Sequence, residues 1–266
     1  MNQSRGFRVV RAVLLTAFAV YFFLPLYALL QFSIDGKGEF EGSITFEYYK
    51  ELIRDEALRQ AIVSSLTLAV LTVVLMVALL VPTMIWVRLR VPGVSRTVEF
   101  LCLLPLTVPP LVIVVGMSNV YTWVNYLFGE SPQVLVFVYV ILVLPYSYRS
   151  IDSALQAIDV TTLAEAARSL GAGWTTVITR IVMPNIIGGI LGAAFIAVAL
   201  VLGEFVIASL LHYDTMPVAL AAIYKQEASV AIAGAFASIV LVTLLLLGLS
   251  YFNRNKAPDV VGGVKE

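Results

Sequence analysis

Six apolar runs, most of them long enough to cross a bilayer, govern what this chain can fold into. They cover about residues 12–32, 61–87, 98–120, 134–148, 185–211 and 230–252. A helix needs roughly 20 apolar residues to span hydrocarbon. Inside a bilayer the backbone must satisfy its own hydrogen bonds, so a helix is the natural form for such a run. The expected fold is an all-α membrane protein with six transmembrane helices. The fourth run is short, which leaves room for its helix to begin near Tyr121. Arg5, Arg8 and Arg11 precede the first run, as in a signal peptide. That run is longer than the roughly 7–15 residues of a signal core, and no A-x-A site follows, so a retained helix is expected. Composition fits this frame: 60% of the residues are hydrophobic and 13% charged, against roughly half and a quarter in soluble domains.

The expected organisation is an N-terminal segment over 1–11, a membrane domain over 12–252 and a C-terminal tail over 253–266. Basic residues orient it. With the N-terminus inside, the inner segments hold Arg5, Arg8, Arg11, Arg88, Arg90, Arg96, Arg149, Arg168, Arg180, Arg254, Lys256 and Lys265. The outer loops hold Lys37, Lys50, Arg54, Arg59 and Lys225. Short cytoplasmic loops retain Lys and Arg in this way, so both termini are expected in the cytoplasm. Net charge is zero, which provides no bulk field to attract nucleic acid. The single cysteine, Cys102, excludes an intrachain disulfide. The single histidine, His212, has no Cys or second His to complete a metal site, so no metal is expected.

Between the fourth and fifth runs, on the inner side, residues 149–184 break the apolar pattern. Thr162 and Glu165 have the S/T-x-x-E spacing of a capping box, which predicts a helix start. Ala164, Ala166, Ala167 and Leu170 favour helix, and Gly171 stands where a helix stop wants a left-handed residue. Trp174, Val177, Ile178 and Ile181 then recur at i, i+3, i+4 and i+7, an amphipathic stripe. Pro184 marks the entry to the fifth run. The pattern describes a short helix, a tight bend and a second helix. On these residues alone it is either a simple connector or a docking element.

The segment Glu165-Ala166-Ala167, three residues, Gly171, nine residues, then Ile181-Val182-Met183-Pro184 resembles the EAA loop of type I ABC importer permeases. Met183 stands where that pattern has Leu, an apolar swap. The chain is most similar to the spermidine/putrescine permease group, also through Gly203-Glu204-Phe205 and the stretch at 215–224. Sulfate, molybdate, iron and phosphonate permeases are related. The resemblance implies that Glu165, Ala166, Ala167, Arg168 and Gly171 form a coupling helix that docks on a separate cytoplasmic ABC ATPase dimer. Arg168 would either pair with an acid on that partner or stay solvated. The resemblance further implies a second permease subunit in a heterodimer, an extracytoplasmic substrate-binding protein, and residence in the bacterial inner membrane. There is no G-x-x-x-x-G-K-[ST] loop in the chain, so ATP and Mg are expected on the partner ATPase and no cofactor on this chain. The chain is expected to be a transport subunit and not an enzyme.

Three features of the apolar runs bear on a pathway. Pro105, Pro109 and Pro110 fall within the third run and would break a helix there, either along the pathway or as a packing kink. Gly188 and Gly192 form a GxxxG on the fifth run, which permits close helix contact, with a partner permease or with the fourth span. Glu204 is the acid expected well inside a span, about 30 Å along the helix from Pro184. It calls for a water-lined cavity or an internal partner, as a cation-binding carboxylate or as a structural hydrogen bonder. The acid-rich loop over 33–60 (Asp35, Glu39, Glu41, Glu47, Glu51, Asp55 and Glu56) is a solvated face or a contact surface for the binding protein. A secondary transporter would favour more intramembrane ionisable residues and an internal repeat. A scaffold would not account for the compact EAA loop.

Overall fold

The structure is a computed structural model that describes residues 5–36 and 43–254. Glu39, Glu41 and Lys37 of the acid-rich loop lie outside the described residues, as do Lys256, Lys265 and nearly all of the expected C-terminal tail. The described chain is helical apart from its turns and one isolated bridge between Asp35 and Ile44. Its backbone divides into two compact units.

The first unit spans residues 1–59 and 219–241. Helix α1 (Arg5–Ile34) carries its apolar residues bare along its length, as a lipid-facing helix does. The short helix α2 (Glu47–Arg54) follows the turn at 43–46. Tyr49 Oη donates to Ser33 Oγ at 2.7 Å, which holds α2 against the end of α1.

The second unit, residues 60–218 and 242–266, holds the larger core. Helix α3 (Glu56–Arg90) enters it, followed by α4 (Ser95–Leu103), α5 (Pro110–Phe128) and α6 (Val136–Gln156). Then come α7 (Val160–Ser169), the single turns α8 (Trp174–Thr176) and α9 (Met183–Asn185), and α10 (Ile187–Gly203). A short α11 (Val206–Leu210) leads to α12 (Met216–Tyr224), which belongs to the first unit from Ala219 on; α13 (Ala228–Arg254), the last described helix, belongs to the first unit as far as Leu241 and to the second beyond it. Among the described residues five helices are long and apolar enough to cross a membrane. A sixth is reached if Trp174–Asn185 and Ile187–Gly203, bent by 76°, count as one span. The chain is a multi-pass membrane protein.

The third crossing is displaced from the expected 98–120. Its helix is α5, and the three prolines lie before or at its start. Pro105 sits in a tight turn over Leu104–Thr107, Pro109 is the residue preceding α5, and Pro110 is its first residue. Proline at a first helical position gives up an N–H that has no partner there anyway. These prolines therefore end α4 and start α5: the expected interruption is a break between two helices and not a bend within one. Tyr121 belongs to α5, so the fourth helix does not begin near it. Instead α6 extends at its other end, past Tyr148 to Gln156.

Candidate coupling site

Helix α7 begins two residues before the expected capping box. Asp159 is its cap: Oδ1 accepts from Thr162 N at 3.1 Å, and Thr162 Oγ1 donates to Oδ2 at 2.7 Å. These bonds, the hydroxyl's first, hold the Asp159 carboxyl below its ordinary range. Thr162 thus serves the cap as a donor, one turn inside the helix, and Glu165 is left free of that task.

Helical spacing sorts the EAA residues. Val160, Ala164 and Ala167, at i, i+4 and i+7, are buried against the returning strand of the hairpin. Glu165 and Ala166 are exposed. Of the three residues in the motif, Ala167 therefore packs inward, and its small side chain lets the two strands close up. The helix ends as a Schellman turn: Ala172 N donates to Ala167 O at 3.1 Å and Gly171 N to Arg168 O at 3.0 Å. Gly171 stands at φ +85°, a region glycine enters without penalty. The turn leaves Leu170, an apolar residue, 90% exposed at the tip.

The returning strand departs from the expected amphipathic α-helix. Val177–Val182 winds as π-helix, with its wider i→i+5 ladder. The fully buried side chains are accordingly Val177 and Val182, five apart, while Ile178 and Ile181 are half-buried. The strand ends at Ile186, whose N–H donates to both Val182 O and Met183 O, and the chain turns into α10.

Arginine side chains gather where α3 ends. Arg90 Cζ lies 4.3 Å from the centroid of the Trp174 ring and 5.7 Å from that of Trp86. The two tryptophans meet edge to face at 5.8 Å. Arg168 is turned back on the hairpin: its Cζ is 5.0 Å from the Trp174 ring and its Nη1 donates to Ala172 O at 3.1 Å. Two residues before Arg90, Arg88 reaches Asp152 of α6 at 3.5 Å, and Gln156 holds the other carboxylate oxygen at 2.6 Å.

The hairpin is mounted on α6 and α10, which pack closely. Ser150 Oγ donates to Gly189 O at 2.8 Å. A Cβ on Gly189 would run into Ala154 Cβ, and one on Gly192 would come within 2.8 Å of Ser150 Oγ. Gly188 has nothing within 4 Å. The contact with α6 thus uses Gly189 and Gly192, while Gly188 lies on the exposed side of α10 and takes no part in it.

Glu204 is not inside a helix. It has extended backbone angles between α10 and α11, and its Oε1 accepts from Ile207 N at 2.7 Å. It caps α11 at the end of α10 away from the hairpin. At that end Tyr213 Oη donates to Asn125 Oδ1 at 2.7 Å. Tyr213 and Asn125 line a cleft of about 510 Å³ with Tyr121, Tyr126, Glu130 and His212; Glu204 is not part of its lining. His212 adopts φ +61°. Among the described residues that line the cleft there is an acid but no Lys or Arg.

Residues 81–257 match the family described as the binding-protein-dependent transport system inner membrane component. The chain belongs to this family. It is a permease subunit of an ABC importer. It is 24% identical to the spermidine/putrescine transport system permease protein PotC of Escherichia coli K12, over 97% of this chain and 99% of that protein. It is 33% identical to the molybdenum transport system permease protein ModB of the same organism over 130 residues, 45% of this chain and 56% of that one. Its fold matches a bacterial ABC transporter involved in the import of the acidic polysaccharide alginate, with TM-score 0.69 at 17% identity over 95% of this chain. The permease fold and the inner-membrane setting are thereby established. The sequence alone did not point to Asp159 as the cap, to Gly189, to the exposure of Leu170 or to the Arg90–Trp174 contact. A D-x-x-T pair ahead of the alanines was a visible sign of the first; the others depend on which side of a helix faces the core.

Proposed function

We propose that this permease imports an organic polycation of the polyamine class, driven by a separate cytoplasmic ATPase dimer that docks on the hairpin Val160–Asn185. The observation that carries the coupling role is the rigid tip: a capped helix, a Schellman turn at Gly171 and an apolar Leu170 standing 90% exposed. An apolar side chain at the tip of a polar turn has a reason to be there if a partner's groove covers it. Glu165, Ala166 and Leu170 form the docking face; Ala167 and Gly171 shape it. In this reading the hairpin, both termini and the end of α3 face the cytoplasm, and ATP and Mg are held by the ATPase.

Polyamine is favoured over oxyanion by two features. The similarity to PotC runs the full length, whereas that to ModB covers under half of the chain. The cleft at the end of α6 remote from the hairpin offers Glu130, Asn125 and tyrosine faces, groups that suit ammonium donors. An extracytoplasmic binding protein would deliver the substrate there, and a second permease subunit would complete the pathway.

The test is uptake by the complex reconstituted in vesicles with its ATPase and binding protein. ATP-dependent accumulation of labelled spermidine or putrescine, with none of molybdate, is expected. Molybdate uptake without polyamine uptake would overturn the substrate assignment and leave the coupling role standing.

A further inference from the structure

The arginine–tryptophan cluster sits at the junction of three elements. Trp174 is the first residue of the hairpin's returning strand. It meets Trp86 and Arg90 from the last two turns of α3, and Arg168 from the last turn of α7. A guanidinium within about 6 Å of a tryptophan ring is attracted by the electron-rich face. Two such cations on one ring repel each other, so the arrangement needs a ring and a carbonyl to hold them. Both are present: Trp174 supplies the ring and Ala172 O accepts from Arg168. In the same turn of α3, Arg88 contacts Asp152 of α6. The end of α3 is thus linked by one arginine to the hairpin and by the next but one to the helix that precedes it.

We propose that Trp174 is a positioning residue for transport: it latches the hairpin to α3, so that a displacement of the hairpin moves α3 together with α6 and α10. The hairpin is covalently continuous with α6 and α10, but not with α3. Without the latch, α3 would follow the hairpin only indirectly, through apolar packing and the Arg88–Asp152 contact with α6, with no ring contact to the hairpin itself. The ring fixes direction as well as distance, because the edge-to-face contact with Trp86 prevents Trp174 from turning. This inference rests on the coupling role proposed above for the hairpin.

The experiment uses the reconstituted complex and measures three quantities for each variant: complex yield, ATP hydrolysis and substrate taken up per ATP. Arg90 is exposed, so Arg90→Gln leaves folding intact. Trp174→Phe keeps a weaker ring and Trp174→Leu keeps none. The expected result is normal yield and hydrolysis for Arg90→Gln, with uptake per ATP lowered roughly fivefold or more. Uptake per ATP should fall in the order Trp, Phe, Leu at position 174, and the Arg90→Gln/Trp174→Leu double variant should be no worse than Trp174→Leu alone. A purely structural role would lower yield and all activities together. Unchanged uptake per ATP in both Arg90→Gln and Trp174→Leu overturns the latch. Leu170→Asp serves as the control for the reading beneath it. If Leu170→Asp still binds the ATPase and transports normally, the hairpin is not the coupling element. If Leu170→Asp releases the ATPase while the latch variants transport normally, only the latch fails.

Discussion

Ser150 Oγ donates a 2.8 Å hydrogen bond to the carbonyl of Gly189, joining α6 to α10 where glycine lets them approach closely. The surface at Gly189 has no room for a methyl group, because Ala154 and the Ser150 carbonyl already occupy it.

Gly189→Ala is therefore expected to destabilise the permease by about 1–3 kcal/mol, the usual cost of overpacking. Gly188→Ala, one residue away, meets open space. It should be neutral or gain up to about 1 kcal/mol from the better helix former. Thermal melting of the two purified variants checks the pair. Equal melting temperatures would show that the helices separate more readily than this geometry implies.

Gly171→Val is expected to lower transport and ATPase stimulation together while the chain still inserts. Space is not the obstacle, since nothing lies within 4 Å of a Cβ there. The obstacle is φ +85°, which costs a branched residue roughly 1–3 kcal/mol. Gly171→Asn, whose side chain tolerates left-handed backbone, should retain most of the activity. Uptake assays on both variants separate backbone strain from side-chain bulk.

Glu204→Gln is expected to keep the complex yield, because an amide oxygen can still accept from Ile207 N. Glu204→Leu removes the cap and should cost about 1 kcal/mol of stability. Polyamine uptake by the well-assembled Gln variant then reports on the charge alone. Full uptake would remove Glu204 from substrate recognition.

The Asp159 cap carries a pH dependence of defined sign. Its carboxyl is held below the ordinary 3.8 by Thr162. A depressed native value adds stability above that ordinary value, and the contribution is lost as pH falls through the native one. Amide protection in the first turn of α7, measured as exchange relative to the intrinsic rate at each pH, should thus be constant from neutral pH to about pH 4 and fall below it. Asp159→Asn keeps an acceptor and should flatten the response.

The hairpin was readable because its signals are local. Gly171, the alanines and Pro184 act within a turn or two of themselves, and the EAA spacing added a family resemblance. The bounds of the third and fifth apolar runs were off for a common reason: hydropathy does not mark where a helix breaks within an apolar stretch. The prolines of Leu104–Pro110 signalled a break, yet the apolar average on both sides hid that the span proper begins at Pro110 and runs to Phe128. Gly203-Glu204-Phe205 interrupts an apolar run without changing its average character. The π-helix at Val177–Val182 was hidden because the stripe of Trp174, Val177, Ile178 and Ile181 fits an α period. Arg168 shows the limit of local reasoning. Its partner, Trp174, is six residues on, and only the Schellman turn brings the ring beneath it.

The 76° bend between Trp174–Asn185 and α10 has a mechanical meaning. A force applied along the hairpin meets α10 almost crosswise, so little of it acts as thrust down the helix axis. Nearly all of it becomes a turning moment about the root at Ile186. The element is then a bell crank and not a piston. Small excursions at Leu170 would be converted into tilt, and the far end of α10, where Glu204 caps the next helix, would sweep the widest arc.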